Sequence, residues 1–228
     1  MGYILLEGGA EFGGQMEIPD RRALSLAGGS GVRVSIIPAA AAPDKNHERA
    51  GQNGVRWFQG LGTTRVRSLP LIDRTSADAP DVVEALRQSH MIYLLGGFPH
   101  HLGQSLIGSL AWDAMLSAYR GGAVIAGSSA GAMVLCGSYY DPKAGEVHPG
   151  LGLLPRVCVL PHHDTFGQSW ASTLQPLLPG TALIGIDEQT GMLGKTPNGT
   201  WEVHGRGVVT VYRQEERIVY GSEQPLRL

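Results

Sequence analysis

A serine flanked by small residues is the feature of this sequence that most directly suggests chemistry. Residues 127–131 read Gly-Ser-Ser-Ala-Gly, which fits the G-x-S-x-G pattern with Ser129 at its centre. The apolar run AVIAG precedes Ser129 and the helix-like AGAMVLC follows it, as a nucleophile elbow requires. In such a turn the serine hydroxyl projects outward, and the next amide, that of Ala130, points to where an oxyanion forms. The alternative is a small-residue turn whose serine only caps the helix.

A serine nucleophile needs a base, because its hydroxyl is scarcely ionised at neutral pH. His162, His163 and Asp164 follow the apolar run RVCVLP. Active sites of parallel sheets collect at the carboxyl ends of strands, so either histidine is a candidate base. The same three residues could instead bind a metal or form a solvated loop, but no second cluster at helical or hairpin spacing completes a metal site. We expect no metal and no cofactor.

The elements that must position these residues alternate along the chain. Short apolar runs that end in Gly, Pro or Ser predict strands, and segments with helical spacing lie between them. The predicted strands are YILLEGG, VRVSIIPA, TRVRSLPLI, MIYLLGG and AVIAGSS. The predicted helices are EIPDRRALSLAGG, PDKNHERAGQNGVRWFQGLG, SADAPDVVEALRQS and HHLGQSLIGSLAWDAMLSAYRGG.

This rhythm predicts an α/β fold with a mostly parallel sheet and helices on both faces. After about Cys158 the runs become short and closely spaced, which predicts antiparallel strands at the end of the chain. The 228 residues, 43% of them hydrophobic, suffice for one core. We therefore expect a single domain, a three-layer sandwich that spans residues 1–228.

Charge and composition exclude several classes of function. The chain has 18 basic and 20 acidic residues, a net charge of -2, and no basic stripe, so we expect no nucleic acid partner. The two cysteines, Cys136 and Cys158, lie in apolar segments, which suits core residues in a reducing compartment. The first residues lack a basic n-region, and no apolar run is long enough to span a bilayer. We expect a cytoplasmic protein with no membrane partner.

Six segments, in order along the chain, resemble the serine peptidase family that contains dipeptidase E (the aspartyl dipeptidase) and cyanophycinase. The segments are LLEGGAEF, YLLGGFPHHL, AGSSAGAMVL, GLGLLPRVCVLPHH, GIDEQTGML and GRGVVTVY. The resemblance implies a fold like that of class I glutamine amidotransferases, which is flavodoxin-like. It also implies a serine-type peptidase, and possible dipeptidase, that hydrolyses small peptides through an acyl-enzyme. Relatives range over monomers and homodimers, so either state is expected here.

The same resemblance implies roles for individual residues. Ser129 is then the nucleophile, His162 the general base, and the amide of Gly97 shares the oxyanion with that of Ala130. Phe98 replaces the polar residue that follows the family's glycine pair. In the family an acid from the loop after the elbow helix orients the histidine.

Several acids could fill that place in this chain. Glu146 is the preferred candidate for the triad acid, with Asp141 as an alternative in the same loop. Asp164 is a further option, because amidotransferases of this fold use a His-x-Glu arrangement. Glu188, in GIDEQT, is expected to be a structural or pocket-lining residue rather than a catalytic one.

Substrate contacts are expected from residues around the same cleft. The candidates for substrate binding are Phe98, His101, His163 and Glu11, and the charge of Glu11 favours a free amine on the substrate. The side chains of His100, Gln104 and Trp170 could face the same cleft. No Arg follows the histidines in DTFGQSWAS, so a preference for aspartyl peptides is not expected.

Two rival functions share these motifs. An α/β-hydrolase esterase could use Ser129, Asp187 and His204 in that family's chain order, but it needs more βα units than the end of the chain provides. A non-catalytic ligand-binding protein on the same scaffold is the other rival, because a fold does not determine a function.

Overall fold

Strands and helices alternate along the first two thirds of the chain, and strands dominate the rest. The computed structural model describes residues 1–195, 199–214, 216–222 and 224–228. The strands are β1 (Ile4–Glu7), β2 (Arg33–Ile37), β3 (Arg65–Ser68), β4 (Met91–Leu94), β5 (Val124–Ser128), β6 (Ser138–Asp141), β7 (Glu146–Pro149), β8 (Val157–Leu160), β9 (Ala182–Ile186), β10 (Thr190–Gly194), β11 (Thr200–Gly205), β12 (Val209–Arg213), β13 (Glu216–Tyr220) and β14 (Pro225–Arg227). The helices are α1 (Glu17–Ala27), α2 (His47–Gly60), α3 (Pro80–Arg87), α4 (Pro99–Leu106), α5 (Leu110–Arg120), α6 (Ala130–Val134) and α7 (Ala171–Leu177).

The largest sheet has the strand order β14-β11-β10-β1-β5-β4-β2-β3. Its strands from β1 to β3 in this order are parallel, and β10, β11 and β14 extend it antiparallel. Side chains of β1 alternate between two apolar clusters, with Ile4 and Leu6 in one and Leu5 in the other. The sheet is therefore covered on both faces, as the continuous apolar runs predict. The expected fold class is confirmed.

A second sheet, with the order β13-β12-β9-β8, was not anticipated as a separate unit. Strands β8 and β9 are parallel, with Leu160 opposite Gly185, and β12 and β13 follow antiparallel. Because the carboxyl ends of parallel neighbours lie at the same sheet edge, the residues after β8 and β9 come together there. These residues include His162 and Glu188.

The segment after α6, expected to be a loop, is a hairpin. Strands β6 and β7 pair antiparallel, with Tyr139 opposite His148 and Asp141 opposite Glu146. Asp141 Oδ1 accepts a hydrogen bond from the Lys143 amide at 3.0 Å, which stabilises the turn. The hairpin carries two of the acids that sequence reasoning placed near the histidine.

The longest predicted helical segment is two helices, α4 and α5. Gly108, at φ 67°, breaks the helical path between them. Ser109 then begins α5 as an N-cap, because its Oγ accepts a hydrogen bond from the Trp112 amide at 3.0 Å. Among the helices of the described residues, none combines the length and the apolar character needed to cross a membrane.

Candidate active site

Ser129 occupies a sharp turn between β5 and α6. Its backbone angles are φ 48° and ψ −111°, a strained conformation for a residue with a side chain. Both flanking glycines are required by close packing. A Cβ on Gly127 would lie 2.5 Å from the carbonyl carbon of Gly131, and one on Gly131 would lie 2.3 Å from the Leu94 oxygen. The turn is therefore a nucleophile elbow in geometry as well as in sequence.

His162 lies just beyond the end of β8 and faces the elbow. Its Nε2 is 3.0 Å from Ser129 Oγ, a distance at which the hydroxyl can donate to the ring. Its backbone also has a positive φ, 49°, and its amide donates to the Gly8 oxygen at 2.7 Å. The structure thus brings together the serine and the histidine that sequence analysis paired.

Glu188 is the acid in contact with His162. Its Oε1 accepts a hydrogen bond from His162 Nδ1 at 2.7 Å, and both side chains are partly buried. Asp164 supports this loop, because its Oδ1 accepts a hydrogen bond from the Glu188 amide at 2.9 Å. The Gln189 amide donates to the Gly9 oxygen at 3.1 Å, so the loop after β1 supports the acid as well as the histidine.

The structure does not place Glu146 against His162, contrary to the sequence-based expectation. Both ring nitrogens of His162 already have partners, and Glu146 is an exposed hairpin residue whose Oε2 is 3.7 Å from His148 Nε2. Asp141, the alternative in that hairpin, accepts the Lys143 amide. Asp164 acts on the backbone of Glu188 and not on the imidazole. Glu188, expected to be structural, occupies the position of a triad acid.

His163 points away from the cleft into the second sheet. It is 3% exposed, its Nδ1 is 3.3 Å from Asp187 Oδ1, and its Nε2 is 2.9 Å from the Tyr212 hydroxyl. Burial lowers the pKa of His163, and the neighbouring Asp187 opposes this shift. The expected substrate contact by His163 is therefore not seen. Because His162, His163 and Asp164 turn to different partners, they do not converge on one metal.

The alternative esterase triad is not assembled. Asp187 binds His163 and accepts the Val208 amide at 2.9 Å through Oδ2. His204 lies on β11, where its Nε2 is 3.0 Å from Glu202 Oε2. Neither side chain contacts Ser129, whose hydroxyl faces His162.

Two backbone amides near Ser129, those of Ala130 and Gly97, have no acceptor among the described hydrogen bonds. Ala130 is the first residue of α6, so its amide has no acceptor within the helix. Gly97 has φ 138°, and none of the described hydrogen bonds uses its amide as donor. Such free amides can stabilise an oxyanion. Phe98 follows Gly97, and Lys143 at the hairpin turn lies over its ring at 5.7 Å.

Glu11 is held beside the elbow. Its Oε2 accepts a hydrogen bond from Ser128 Oγ at 3.0 Å, and its Oε1 accepts one from the Gly96 amide at 3.3 Å. Ser128 directly precedes Ser129 of the elbow, and Gly96 directly precedes Gly97. A fixed carboxylate therefore lies close to the side chain of Ser129.

A cavity of about 810 Å³ opens beyond Glu11. Two arginines of α2 line it, and each donates one hydrogen bond to an asparagine, Arg49 to Asn46 and Arg56 to Asn53. No other described hydrogen bond uses the guanidinium donors of these arginines, so the remaining donors can bind an anionic group. The full lining is Ala10, Glu11, Phe12, Asn46, Arg49, Ala50, Asn53, Arg56 and Trp57.

An aromatic surface lies on the other side of His162, and Trp170 is the one member of it that sequence analysis named. The ring of Phe166 stacks on the imidazole with a centroid distance of 4.9 Å and an interplanar angle of 23°. Trp170 contacts Phe166 at 5.5 Å and Tyr140 at 5.2 Å. Phe166 is 51% exposed, so this surface is available to a substrate side chain. His101, in contrast, is tied to the backbone, with Nε2 2.7 Å from the Ile72 oxygen.

Two fully buried acids lie behind the elbow. Glu7, the last residue of β1, accepts a hydrogen bond from the Tyr93 hydroxyl, and Asp20 accepts one from Trp57 Nε1 at 2.8 Å. Among the described residues, Glu7 Oε1 and Asp20 Oδ1 receive no other donor, so a proton shared between the two carboxyls satisfies both. Burial raises the pKa of Asp20 to about 7 and also raises that of Glu7. The Glu7 carbonyl in turn accepts the Ser129 amide at 3.0 Å.

Comparison with known proteins shows which family this sequence resembles. Residues 4–195 match peptidase family S51. Cyanophycinases from Nostoc sp. and from Trichormus variabilis are each 28% identical to this chain over 219 residues, which cover 91% of the chain and 72% of the relative.

Solved structures agree in fold. A peptidase from an acI-B1 Actinobacterium superposes with a TM-score of 0.87 and is 27% identical in sequence. The superposition covers all of this chain and 97% of the chain of that peptidase. A protein from Listeria monocytogenes EGD-e, designated a candidate peptidase E, superposes with a TM-score of 0.62 and 16% identity over 98% of this chain and all of its own, which bears on the fold alone. Together with the match over most of its length, this means that the chain belongs to peptidase family S51 and is a serine peptidase that acts on peptide bonds.

Proposed function

We propose that this chain hydrolyses short peptides through an acyl-enzyme on Ser129, with His162 as general base and Glu188 as the acid of the triad. The continuous chain of hydrogen bonds carries this proposal: 3.0 Å from Ser129 to His162 and 2.7 Å from His162 to Glu188. A nucleophile, a base and an orienting carboxylate in this order are the parts that acyl transfer needs.

Each part has a role in the proposed reaction. His162 Nε2 takes the proton of the Ser129 hydroxyl as the oxygen attacks the substrate carbonyl, and the amides of Gly97 and Ala130 stabilise the oxyanion. The imidazolium then gives this proton to the leaving amine. Water, activated by the same nitrogen, hydrolyses the acyl-enzyme. Glu188 keeps Nδ1 protonated and stabilises the imidazolium while it exists.

We further propose that the substrate is a short peptide with free ends. The carboxylate of Glu11, fixed beside Ser128, favours a substrate ammonium close to the scissile bond. The arginines of the cavity beyond it, Arg49 and Arg56, supply donors for a substrate carboxylate. The two relatives named above are cyanophycinases, so cyanophycin is a further substrate to test.

The test is labelling by a fluorophosphonate probe together with cleavage of a dipeptide library. Each peptide is supplied with free ends, with an acetylated amine and with an amidated carboxyl group. We expect the wild type to label on Ser129 and to prefer free ends, whereas Ser129→Ala neither labels nor cleaves. Ser128→Ala is the matched control, because it removes the neighbouring hydroxyl, and it should still label. Equal loss in both variants, or labelling that survives in Ser129→Ala, contradicts the proposed nucleophile.

A further inference from the structure

A second constellation of ligating side chains lies outside the triad, between α4 and the β6–β7 hairpin. His100, Asp141 and His148 each offer one ligand atom, and these atoms all lie within 4.8 Å of one another. Among the residues that the structure describes, this is the only group of three or more His, Cys, Asp or Glu side chains close enough to bind one metal ion. Sequence analysis considered a metal only at His162, His163 and Asp164, and so missed it.

The hairpin register explains why these residues meet. Tyr139 lies opposite His148, and Asp141, two residues along the same strand, shares their face of the hairpin. His100, in the first turn of α4, packs on this face, with its ring 4.4 Å from that of His148. The three residues therefore come from two rigid elements rather than from one mobile loop.

The bonds within the protein leave ligand capacity on each residue. Tyr139, fully buried, lies with its hydroxyl 3.3 Å from His100 Nδ1, a contact that orients the ring and leaves Nε2 without a partner among the described residues. Asp141 Oδ1 accepts the Lys143 amide, and Oδ2 accepts no described hydrogen bond. His148 makes one approach to a carboxylate, 3.7 Å from Nε2 to Glu146 Oε2. A ligating histidine usually has its other ring nitrogen held by a hydrogen-bond partner, and here the Tyr139 hydroxyl can take that place for His100.

We propose that His100, Asp141 and His148 bind a divalent transition-metal ion of the zinc type. Two imidazoles and one carboxylate suit zinc, cobalt or nickel better than magnesium or calcium, which prefer oxygen ligands. Zinc bonds of about 2.0–2.2 Å require the ligand atoms to approach to about 3.3–3.6 Å, a small movement for three side chains that already converge. Three protein ligands leave a position for water.

Such an ion joins α4 to the hairpin beside the cleft. Helix α4 begins directly after Gly97 and Phe98, and the hairpin turn reaches back over the Phe98 ring through Lys143. The ion thus fixes one wall of the substrate site without contact with Ser129 or His162. Its function is structural, separate from the proposed peptide hydrolysis.

Binding of cobalt and zinc to the full chain tests this site directly. Protein without an affinity tag is stripped with chelator and dialysed against Co²⁺ or Zn²⁺ at about pH 7.5, where imidazole is neutral and competent to bind. Metal analysis gives the stoichiometry, and the visible spectrum of Co²⁺ reports the coordination. We expect about one ion per chain, together with d–d bands of a site with nitrogen and oxygen ligands.

Variants on both elements distinguish this site from others. His148→Ala, Asp141→Asn and His100→Gln should each weaken metal binding at least tenfold, while circular dichroism of the metal-free proteins stays unchanged. His204→Ala removes another histidine paired with a carboxylate, His204 and Glu202, and should bind as the wild type does. His162→Ala tests for an ion at the triad. The proposal is overturned if the wild type binds no ion, if the three variants bind the ion as tightly as the wild type does, or if only His162→Ala loses binding.

Discussion

Two of the residues that meet at the site, Ser129 and His162, both have a left-handed backbone. Their φ values are 48° and 49°, which non-glycine residues adopt rarely and at a cost of about 1–3 kcal/mol each. The surrounding hydrogen bonds hold them there: the Ser129 amide donates to the Glu7 oxygen and the His162 amide donates to the Gly8 oxygen. The successive carbonyls of Glu7 and Gly8 thus fix Ser129 and His162, the proposed nucleophile and base, relative to each other.

Glu188→Gln tests the proposed acid. The substitution preserves size and a hydrogen-bond acceptor but removes the charge that stabilises the imidazolium, so kcat should fall on the order of a thousandfold, with little change in melting temperature. Steady-state cleavage of the best library peptide gives kcat, and thermal unfolding checks the fold.

Glu146→Gln is the matched control, because it makes the same change at the acid that sequence analysis preferred. It is an exposed hairpin residue and should keep the activity of the wild type. If Glu146→Gln lost activity while Glu188→Gln kept it, Glu146 and not Glu188 would be the acid of the triad.

Glu11→Gln tests how the substrate amine is bound. Without the carboxylate, KM for a peptide with a free amine should rise about tenfold, the scale of one charged hydrogen bond, whereas KM for the acetylated peptide should stay the same. Michaelis curves for the two peptides give the comparison. Equal changes for both would mean that Glu11 acts on the elbow through Ser128 and not on the amine.

At the scale of single residues, the sequence predicts the features that depend on neighbouring residues in the chain. The elbow is recognisable because its glycines and Ser129 are neighbours, and His162 because it follows an apolar run. Sequence analysis expected Glu188 to be a structural or pocket-lining residue, because it lies 26 residues after His162. Only the pairing of β8 with β9 brings the two residues together. Whether His162 or His163 faces the serine depends on the turn after β8, where His162 adopts a positive φ that no pattern in the sequence specifies.

Among the elements, the break between α4 and α5 has a single residue at its centre. Ser109 Oγ accepts the Trp112 amide at 3.0 Å and donates to the Leu106 oxygen at 2.8 Å, so it ends one helix and begins the next. Leu102 and Trp112, one from each helix, are both in the larger apolar cluster. The orientation of α4, which begins at the Gly97 turn, therefore depends on this break.

Ser109→Ala should lower the free energy of unfolding by about 1 kcal/mol, the usual cost of losing an N-cap. Urea denaturation measures it. Ser117→Ala, in the same helix but exposed and away from the N-terminus, should be close to neutral. If the two variants are equally stable, the Ser109 hydroxyl does not cap the helix.

The sequence contains signals for the break between α4 and α5 and for the β6–β7 hairpin, although neither was predicted. Gly108 followed by Ser109 is a helix end and a helix start, although the helical spacing on either side reads as one segment. Asp141, Pro142 and Gly145 are turn residues between two short runs, which favour a hairpin over a loop. The division of the C-terminal strands into two sheets has no such local signal, because it is decided by which strand pairs with β1 and which with β8.

At the scale of the whole molecule, the buried pair of Glu7 and Asp20 couples stability to pH. The pKa of Asp20 is 3.8 without perturbation and about 7 in the fold, raised first by burial. Between these values the native state binds more protons than the unfolded state, so the free energy of unfolding decreases as pH rises from about 4 to about 7. Glu7, whose pKa is also raised, acts in the same direction.

Asp20→Asn should flatten this decrease. The asparagine oxygen can still accept the Trp57 Nε1–H, and its amide can donate to Glu7 Oε1, so the variant should gain stability relative to the wild type above about pH 7. Urea denaturation at a series of pH values measures the effect. Asp44→Asn, on an exposed aspartate, is the control and should leave the slope unchanged. An unchanged slope in Asp20→Asn would mean that the pair does not hold the extra proton.

The division of the strands into two sheets has a mechanical consequence. Ser129 lies at the end of a strand of the large sheet, whereas His162 and Glu188 follow neighbouring strands of the small one. The contact between His162 and Glu188 is therefore made at the edge of one sheet, whereas the contact between Ser129 Oγ and His162 Nε2 joins the two sheets. The hydrogen bonds from the His162 amide to Gly8 and from the Gln189 amide to Gly9, both just after β1, hold the two sheets in this alignment. The alignment of the two sheets thus sets the distance between Ser129 Oγ and His162 Nε2, across which the proposed first proton transfer takes place.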